Sequence, residues 1–408
     1  MWPTTTLGDV TDTGQYGLNA AALKEGGGIR FIRITDIDSS GQLGGASPAY
    51  VDAKLPDLER YMLSAGDLLI ARSGATAGKS LLFRGLPEPA VFAGYLIRFK
   101  ARVDRVLPEY LGHFLQSPLY WGFIRKTARA VAQPNVNARE LASLPVPLPP
   151  VAEQQRIVEL LSRAENIVRM RREAEQRAKE IIPALFLDMF GDPAMNPKGG
   201  AVDQIRHQRN SVVRLGDVAE VVSGVAKGRK LGGKVTRDVP YLRVANVQAG
   251  GLDLAEMKYI PATADEITEL AVRAGDVLLT EGGDFDKVGR GALLEADIGE
   301  CIHQNHVFRV RTHADRVMPE YFAAYLQTFP ARQYFLKAAK KTSNLASINM
   351  TQLRNLPLPL PRLDTQREFQ KRFRACRALE KQQSAATGIA NVSFQSLLAG
   401  VFSEVRAT

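Results

Sequence analysis

The chain has 408 residues, with 53 Lys+Arg against 43 Asp+Glu and a formal net charge of +10. That balance favours polyanionic partners over acidic substrates or membrane surfaces. Two cysteines, Cys301 and Cys376, exclude a disulfide framework and point to a reducing compartment. No run of about 18 apolar residues and no signal-peptide pattern is visible, so the expectation is a cytoplasmic protein without a membrane partner.

In chain order, short β-type runs come first: Ile29 to Ile34, Asp67 to Ala71 and Tyr95 to Phe99, each bounded by Gly, Ser or Pro. Pro108 to Arg125 then reads as helix, opening on Pro108-Glu109 in the first turn, where both residue types are favoured. Together these runs make an α+β body, which ends at Leu144-Pro145-Val146-Pro147-Leu148-Pro149. From Ile157, alternate steps of three and four meet Leu160, Ala164, Ile167, Arg171, Ala174, Ala178, Ile181 and Leu185, a heptad seam broken only by Arg171.

The order then repeats. Asp104-Arg105-Val106-Leu107-Pro108-Glu109-Tyr110 returns 211 residues later as Asp315-Arg316-Val317-Met318-Pro319-Glu320-Tyr321, and the proline run returns as Leu356-Pro357-Leu358-Pro359-Leu360-Pro361. The second seam runs Phe369, Arg372, Cys376, Leu379, Gln383, Ala386, Ala390, Ser393 and Leu397, with Gln383 at the place of Arg171. A period this long is no solenoid, whose units run about 20 to 50 residues, so each copy buries its own core. The expected division is a first body over 1–150, a helical spacer over 151–192, a linker over 193–210, a second body over 211–361 and a distal helical spacer over 362–408. Two matching heptad helices in one chain most simply pair with each other. Two similar bodies present two similar surfaces, so the natural target is itself two-part.

The basic excess is clustered in matching places. Residues 110–139 hold Arg125, Lys126, Arg129 and Arg139 with no acid before Arg139, and residues 321–363 hold Arg332, Lys337, Lys340, Lys341, Arg354 and Arg362 with none. A solvated basic face is the plain reading; repetition at equivalent places favours nucleic acid. Gly74-Ala75-Thr76-Ala77-Gly78-Lys79-Ser80 looks like a phosphate-binding loop, but it has three residues between its glycines where such a loop has four. Cys301-Ile302-His303-Gln304-Asn305-His306 offers zinc-ligand types, yet His306 falls on the opposite strand face from Cys301 and His303. No nucleophile elbow, dinucleotide fingerprint or cofactor box is present, so no catalytic residue, metal or cofactor is expected.

The run Gly66-Asp67-Leu68-Leu69-Ile70-Ala71-Arg72-Ser73-Gly74 is followed by the Leu-Pro-x-Pro-Leu-Pro stretch. Glu153-Gln154-Gln155-Arg156-Ile157 then opens a long helix that closes on Leu185-Phe186-Leu187-Asp188-Met189-Phe190-Gly191-Asp192-Pro193. This succession resembles the DNA specificity subunit of type I restriction-modification enzymes, over nearly the whole chain and in both halves. The second helix departs from the pattern, opening Asp364-Thr365-Gln366-Arg367-Glu368-Phe369, where only Gln366 keeps the motif. The resemblance implies two α+β target recognition domains, each reading half of a bipartite double-stranded DNA target. It also implies two long helices paired as an antiparallel coiled coil that dock DNA methyltransferase subunits, two in number, with a restriction/translocase subunit as a further partner. The alternative is a two-domain nucleic-acid-binding scaffold unconnected with methylation.

Base readout needs Arg or Lys against guanine and Asn or Gln against adenine, whereas phosphates accept almost any donor. Loops that differ between copies on a shared framework are where differing specificities should sit. In copy one these give Arg72, Ser73, Thr76, Lys79 and Ser80, then Arg125, Lys126, Arg129, Gln133, Asn135 and Asn137; in copy two, Lys287, Arg290, Lys337, Lys340, Lys341, Asn344 and Asn349. Asn137 and Asn349 fit a helix cap as well as a base contact. The acids Glu281, Asp284 and Asp286 would accept from cytosine N4 or lie in a solvated turn.

The seam from Ile157 to Leu185 spans about 42 Å, enough to hold two bodies roughly one DNA turn apart, about 34 to 36 Å. Inserting a heptad into the first helix is expected to leave both half-sites unchanged and lengthen the undefined spacer by about three base pairs, since a heptad preserves the seam. Sequencing DNA selected by the insertion variant checks this; loss of one half-site with the spacer intact would show that the helices are not the ruler.

Overall fold

The structure is a computed structural model that describes residues 2–25, 28–38, 40–44, 47–128, 134–191, 211–283, 287–341 and 346–403. It divides into two compact units, residues 1–172 with 385–408, and residues 173–384.

In the first unit a four-stranded antiparallel sheet runs in the order Gln15–Tyr16, Leu96–Lys100, Asp67–Ala71, Ser80–Leu82. Beside it lies a three-stranded sheet, Tyr50–Asp52, Gly28–Ile32, Ala90–Phe92, whose second pairing is parallel. The apolar alternation of these short runs places Leu68, Ile70, Ile97 and Phe99 in one core, and Leu69, Ala71, Leu81 and Leu96 in another. The second unit repeats both orders. Its four-stranded sheet is Ala219–Ser223, Val307–Thr312, Val277–Thr280, Gly291–Leu293, and its three-stranded sheet is Lys258–Ala262, Arg237–Leu242, Ile302–His303.

The helix expected over Pro108 to Arg125 is two helices, Pro108–Phe114 and Pro118–Ala128. Proline disfavours the helical conformation in the residue before it, so the first helix stops ahead of Ser117-Pro118. The Ser117 hydroxyl then accepts from Tyr120 N at 3.3 Å. The proline run is itself a strand: Pro145–Pro147 pairs with Thr4–Thr6, and Pro357–Leu360 with Ser211–Arg214. Prolines are tolerated there because a two-stranded ribbon is all edge.

Two long helices follow the bodies, Val151–Phe190 and Leu363–Ser403. In the first unit the end of the second helix enters the core, with Leu398 and Phe402 fully buried and the Phe402 ring 5.6 Å from Tyr110 and 5.4 Å from Phe114. In the second unit the end of the first helix does the same, Phe186 lying 5.6 Å from Tyr321 and 5.8 Å from Phe369. Within the first unit the two helix segments therefore run antiparallel: Thr387 Oγ1 donates to Arg171 O at 3.2 Å while Leu398 and Phe402 share a core with Ile157 and Leu161.

The buried line differs from the expected seam by one residue at alternate steps. Ile157, Leu161, Val168, Ala178, Ile182 and Phe186 are buried, whereas Leu160, Ile167 and Ile181 are 46%, 50% and 37% exposed. Leu185 and Leu397 are partly buried against the cores. In the second helix Phe369, Phe373 and Thr387 are buried, Cys376 and Gln383 are half-buried, and Leu379 is exposed; Arg171 is also exposed. The cause is visible in the sequence: Leu160-Leu161, Ile167-Val168 and Ile181-Ile182 each offer two adjacent apolar residues, and steps of four then three fit as well as three then four. Among the described residues, one helix, the second, is long and apolar enough by composition to cross a membrane, although it holds no unbroken run of about 18 apolar residues. Its Leu398 and Phe402 are packed in the core of the first unit, as in a core helix rather than a span.

One side chain fastens each helix to its body. Gln154 is 0% exposed; its Oε1 accepts from Leu107 N at 2.9 Å, and its Nε2 donates to Arg105 O at 3.1 Å and Pro149 O at 2.9 Å. Gln366, also 0% exposed, makes the same three bonds to Met318 N, Arg316 O and Pro361 O at 2.9, 3.1 and 2.9 Å. Gln366→Leu would leave a donor and two acceptors unsatisfied, at about 1–3 kcal/mol per buried group. The expected outcome is a fall of several kcal/mol in unfolding free energy by urea titration; unaltered stability with altered DNA binding would show the glutamine to be a contact residue.

Candidate nucleic-acid interface

The loops expected to read DNA are brought together by identical backbone bonds in the two bodies. Arg72 N donates to Tyr95 O at 3.0 Å, and Arg72 O accepts from Val136 N at 2.8 Å. At the same place in the second body, Glu281 N donates to His306 O at 2.9 Å and Glu281 O accepts from Ile348 N at 2.9 Å. Ser73 bridges Asn135, and Gly282–Gly283 pairs with Ala346–Ser347, which pairs in turn with Lys340–Lys341. Each loop returns through a glycine pressed on the basic helix. Gly78 has φ +88°, and a Cβ there would lie 2.7 Å from Ile124; Gly289 has φ +67°, with Phe335 at 2.2 Å. The Tyr120 hydroxyl donates to Gly78 O at 2.6 Å. Loop, basic helix and cap segment are thus one contiguous surface within each body.

In the first body Thr76, Arg125, Lys126, Asn135 and Asn137 are exposed, Ser73 is half-buried, and Arg72 is half-buried with its guanidinium 5.0 Å from the Tyr16 ring centroid. Two residues leave the contact set. Lys79 Nζ donates to Ile37 O, which also removes the lysine that a phosphate-binding loop requires. Ser80 is 2% exposed and its hydroxyl donates to Leu115 O at 3.1 Å, because it opens the edge strand Ser80–Leu82 of the four-stranded sheet with its side chain inward. In the second body Lys337 and Lys340 are exposed, and Lys287 and Arg290 are half-buried, Arg290 reaching Gln248 Oε1 at 3.2 Å. Arg129, Gln133 and Asn344, the acids Asp284 and Asp286, and the Lys341 side chain lie outside the described residues. Asn137 and Asn349 are N-caps, each Oδ1 accepting from the residue three on, Glu140 N at 2.9 Å and Gln352 N at 2.8 Å. That bond uses one acceptor and leaves the amide donors exposed.

Sequence reasoning passes over two aromatics at this edge, Tyr16 and Tyr95, which are 40% and 65% exposed. Tyr16 carries only a weak signal, a lone ring between Gly14 and Gly17. Tyr95 is legible only through its place opposite His306.

Cys301 and His303 point inward, 1% and 0% exposed. Burial pushes the Cys301 thiol up to about 12, and His303 Nδ1 lies 2.7 Å from Val307 O, which fixes it as the donor. His306 faces the other way and pairs through Nδ1 with Glu281 Oε2 at 2.5 Å. Among the described residues no group of three His, Cys, Asp or Glu is placed to hold a metal ion.

The type I restriction modification DNA specificity domain matches twice, over residues 1–180 and 208–386. The chain belongs to that family. It is 24% identical to the specificity subunit of the type I restriction enzyme EcoKI of Escherichia coli K12, over 84% of this chain and 75% of that one. It is 25% identical to the putative MjaX specificity subunit of Methanocaldococcus jannaschii, over 92% and 86%. Among solved structures, a chain from a type I R-M complex aligns with a TM-score of 0.56 at 19% identity, covering 97% of this chain and 96% of that one. The S subunit from M. genitalium aligns at 0.53 and 14%, covering 98% and 95%. At these identities both show a shared fold.

Burial holds the imidazoles of His113 and His303 well below the usual histidine range, at about 4, with Arg84 adding to the shift at His113. The unfolded chain takes up these protons near pH 6.5 and the folded chain does not, so stability present above that pH is lost as pH falls towards 4, by roughly 3 kcal/mol per histidine. His303→Phe, which installs the residue found at the matching Phe92, is expected to flatten this loss in urea midpoints measured from pH 7 to 4.5. An unchanged pH profile would place the acid sensitivity elsewhere.

Proposed function

We propose that the chain is the non-catalytic, sequence-reading subunit of a type I restriction-modification complex. Residues 1–150 and 211–361 form the two reading bodies, each for one half of a bipartite DNA target. Residues 151–192 and 362–408 form the helical arms, with 193–210 as the linker between them. The arms would dock two DNA methyltransferase subunits, with a restriction subunit as a further partner, in the cytoplasm. What carries the reading is that one backbone frame occurs twice and presents different side chains each time, Arg72, Thr76 and Asn135 in one body and Glu281, Arg290 and Lys340 in the other. A repeated frame with divergent tips is what reading two different half-sites requires, and the basic helix beside each tip supplies phosphate attraction. Sequencing the methylated bases of cells with and without this chain returns the motif directly. A motif of one contiguous block, or no change, refutes the reading.

Binding should weaken steeply with salt, because counterions are released in proportion to phosphates neutralised. Replacing Lys337 and Lys340 by Ala is expected to flatten the slope of log affinity against log salt by about 0.9 for each lysine that touches a phosphate, and to weaken binding across all sequences. An unchanged slope in a fluorescence titration would show that this edge faces away from DNA.

A further inference from the structure

We infer that residues 72 and 281 are equivalent base-reading positions of opposite chemistry, Arg72 reading guanine in one half-site and Glu281 reading the cytosine amine in the other. This rests on the DNA-reading function proposed above. The equivalence is given by the backbone: each residue donates to the matching carbonyl, Tyr95 or His306, and accepts from the matching amide, Val136 or Ile348.

The surroundings of each side chain differ in step with its charge. Under Arg72 lies the Tyr16 ring, itself held because its hydroxyl accepts from Ala138 N at 3.2 Å, in the first turn of the helix capped by Asn137. Arg72 Nε is enclosed and without a hydrogen-bond partner among the described residues. A guanidinium held over a ring has given up freedom before DNA arrives, so less is lost when its two-donor fork meets guanine O6 and N7. In the second body Tyr16 is replaced by Ser223; the two pair with equivalent strand residues, Ile97 and Phe308, and the Ser223 hydroxyl is turned to Asn305 O. Among the described residues no ring takes the place of Tyr16 beneath Glu281. His306 braces it instead, donating from Nδ1 to one carboxylate oxygen, which leaves the other as an acceptor. A carboxylate beside a polyanion repels phosphate, and what it gains at a base edge is an amine donor, for which cytosine N4 is the fit. Lys340, two strands from Gly282 in the same small sheet, offsets that repulsion at the rim.

The test is selection by the full-length chain from a randomised duplex DNA pool at fixed salt, with thermal unfolding as the fold control. Arg72→Lys keeps the charge but loses the fork. It is expected to lower discrimination for guanine roughly 5- to 150-fold at one position of one half-site, with the other half-site intact. Glu281→Gln is expected to change the preferred base at one position of the other half-site only. Weaker binding with every base preference retained would make these residues phosphate or framework groups and overturn the inference, as would unchanged motifs or changes spread over both half-sites. If the unaltered chain selects no two-part motif at all, the DNA-reading proposal itself fails, and this inference with it.

Discussion

Each long helix begins by burying one neutral amide among three backbone groups, and the placement of everything beyond depends on that clamp. Gln154 and Gln366 tie the turn before the first body helix to the end of the proline strand and to the helix itself. The site offers one N–H and two carbonyls. A primary amide supplies one acceptor and two donors in that arrangement; carboxylate, ammonium and thioether side chains each lack one of them. This explains why, between Glu153-Gln154-Gln155 and Thr365-Gln366-Arg367, only the central residue is shared. The neighbouring tyrosines extend the clamp, Tyr110 donating to Pro147 O at 2.9 Å and Tyr321 to Pro359 O at 2.7 Å.

A second set of contacts distinguishes the two helices that the clamp treats alike. In the first unit Arg84 lies 3.6 Å from Glu165, which also accepts from Gln42 at 2.6 Å. In the second unit the signs are reversed at the same places, Glu295 meeting Arg377 at 2.6 Å, with Arg377 also donating to Gly250 O. Such partly exposed pairs contribute about 1 kcal/mol or less each. Their effect on choice is larger: exchanging partners would set arginine against arginine and glutamate against glutamate. A reversed pair of this kind specifies which body sits on which helix more than it stabilises either.

The duplication, the α+β bodies and the paired helices were legible because they are written in long periods and repeated phrases. The seam's exact phase was not, since Leu160-Leu161, Ile167-Val168 and Ile181-Ile182 each give the heptad two choices that only packing against Tyr110, Tyr321 and their neighbours resolves. The loop positions were legible as differences between copies, and the structure brings those segments together. Difference alone did not say which way a side chain turns. Lys79 and Ser80 sit in the divergent loop but point into the body, while Tyr16 sits far off in sequence and is carried to Arg72 by strand pairing. Asn137 and Asn349 carried a correct cap signal, Asn followed three residues later by Glu140 or Gln352.

The framework also shows how two bodies can share a fold and differ in what they touch. Asp67 Oδ2 accepts from Ser64 N at 3.1 Å, and Asp276 Oδ2 from Arg273 N at 2.8 Å, so the turn fixes the carboxylate in both. The cation that answers it is exchangeable: Arg98 in the first body, and Arg311 in the second, while Arg309, which stands where Arg98 does, donates to Glu269 O and Ala271 O. Where backbone fixes one partner, the other has latitude. At residues 72 and 281 that latitude is wider still, because the frame bonds are entirely between backbone groups and place no demand on the side chain. Arginine and glutamate are accommodated on the same frame, so a change in what is read there need not pass through a change in the fold that presents it.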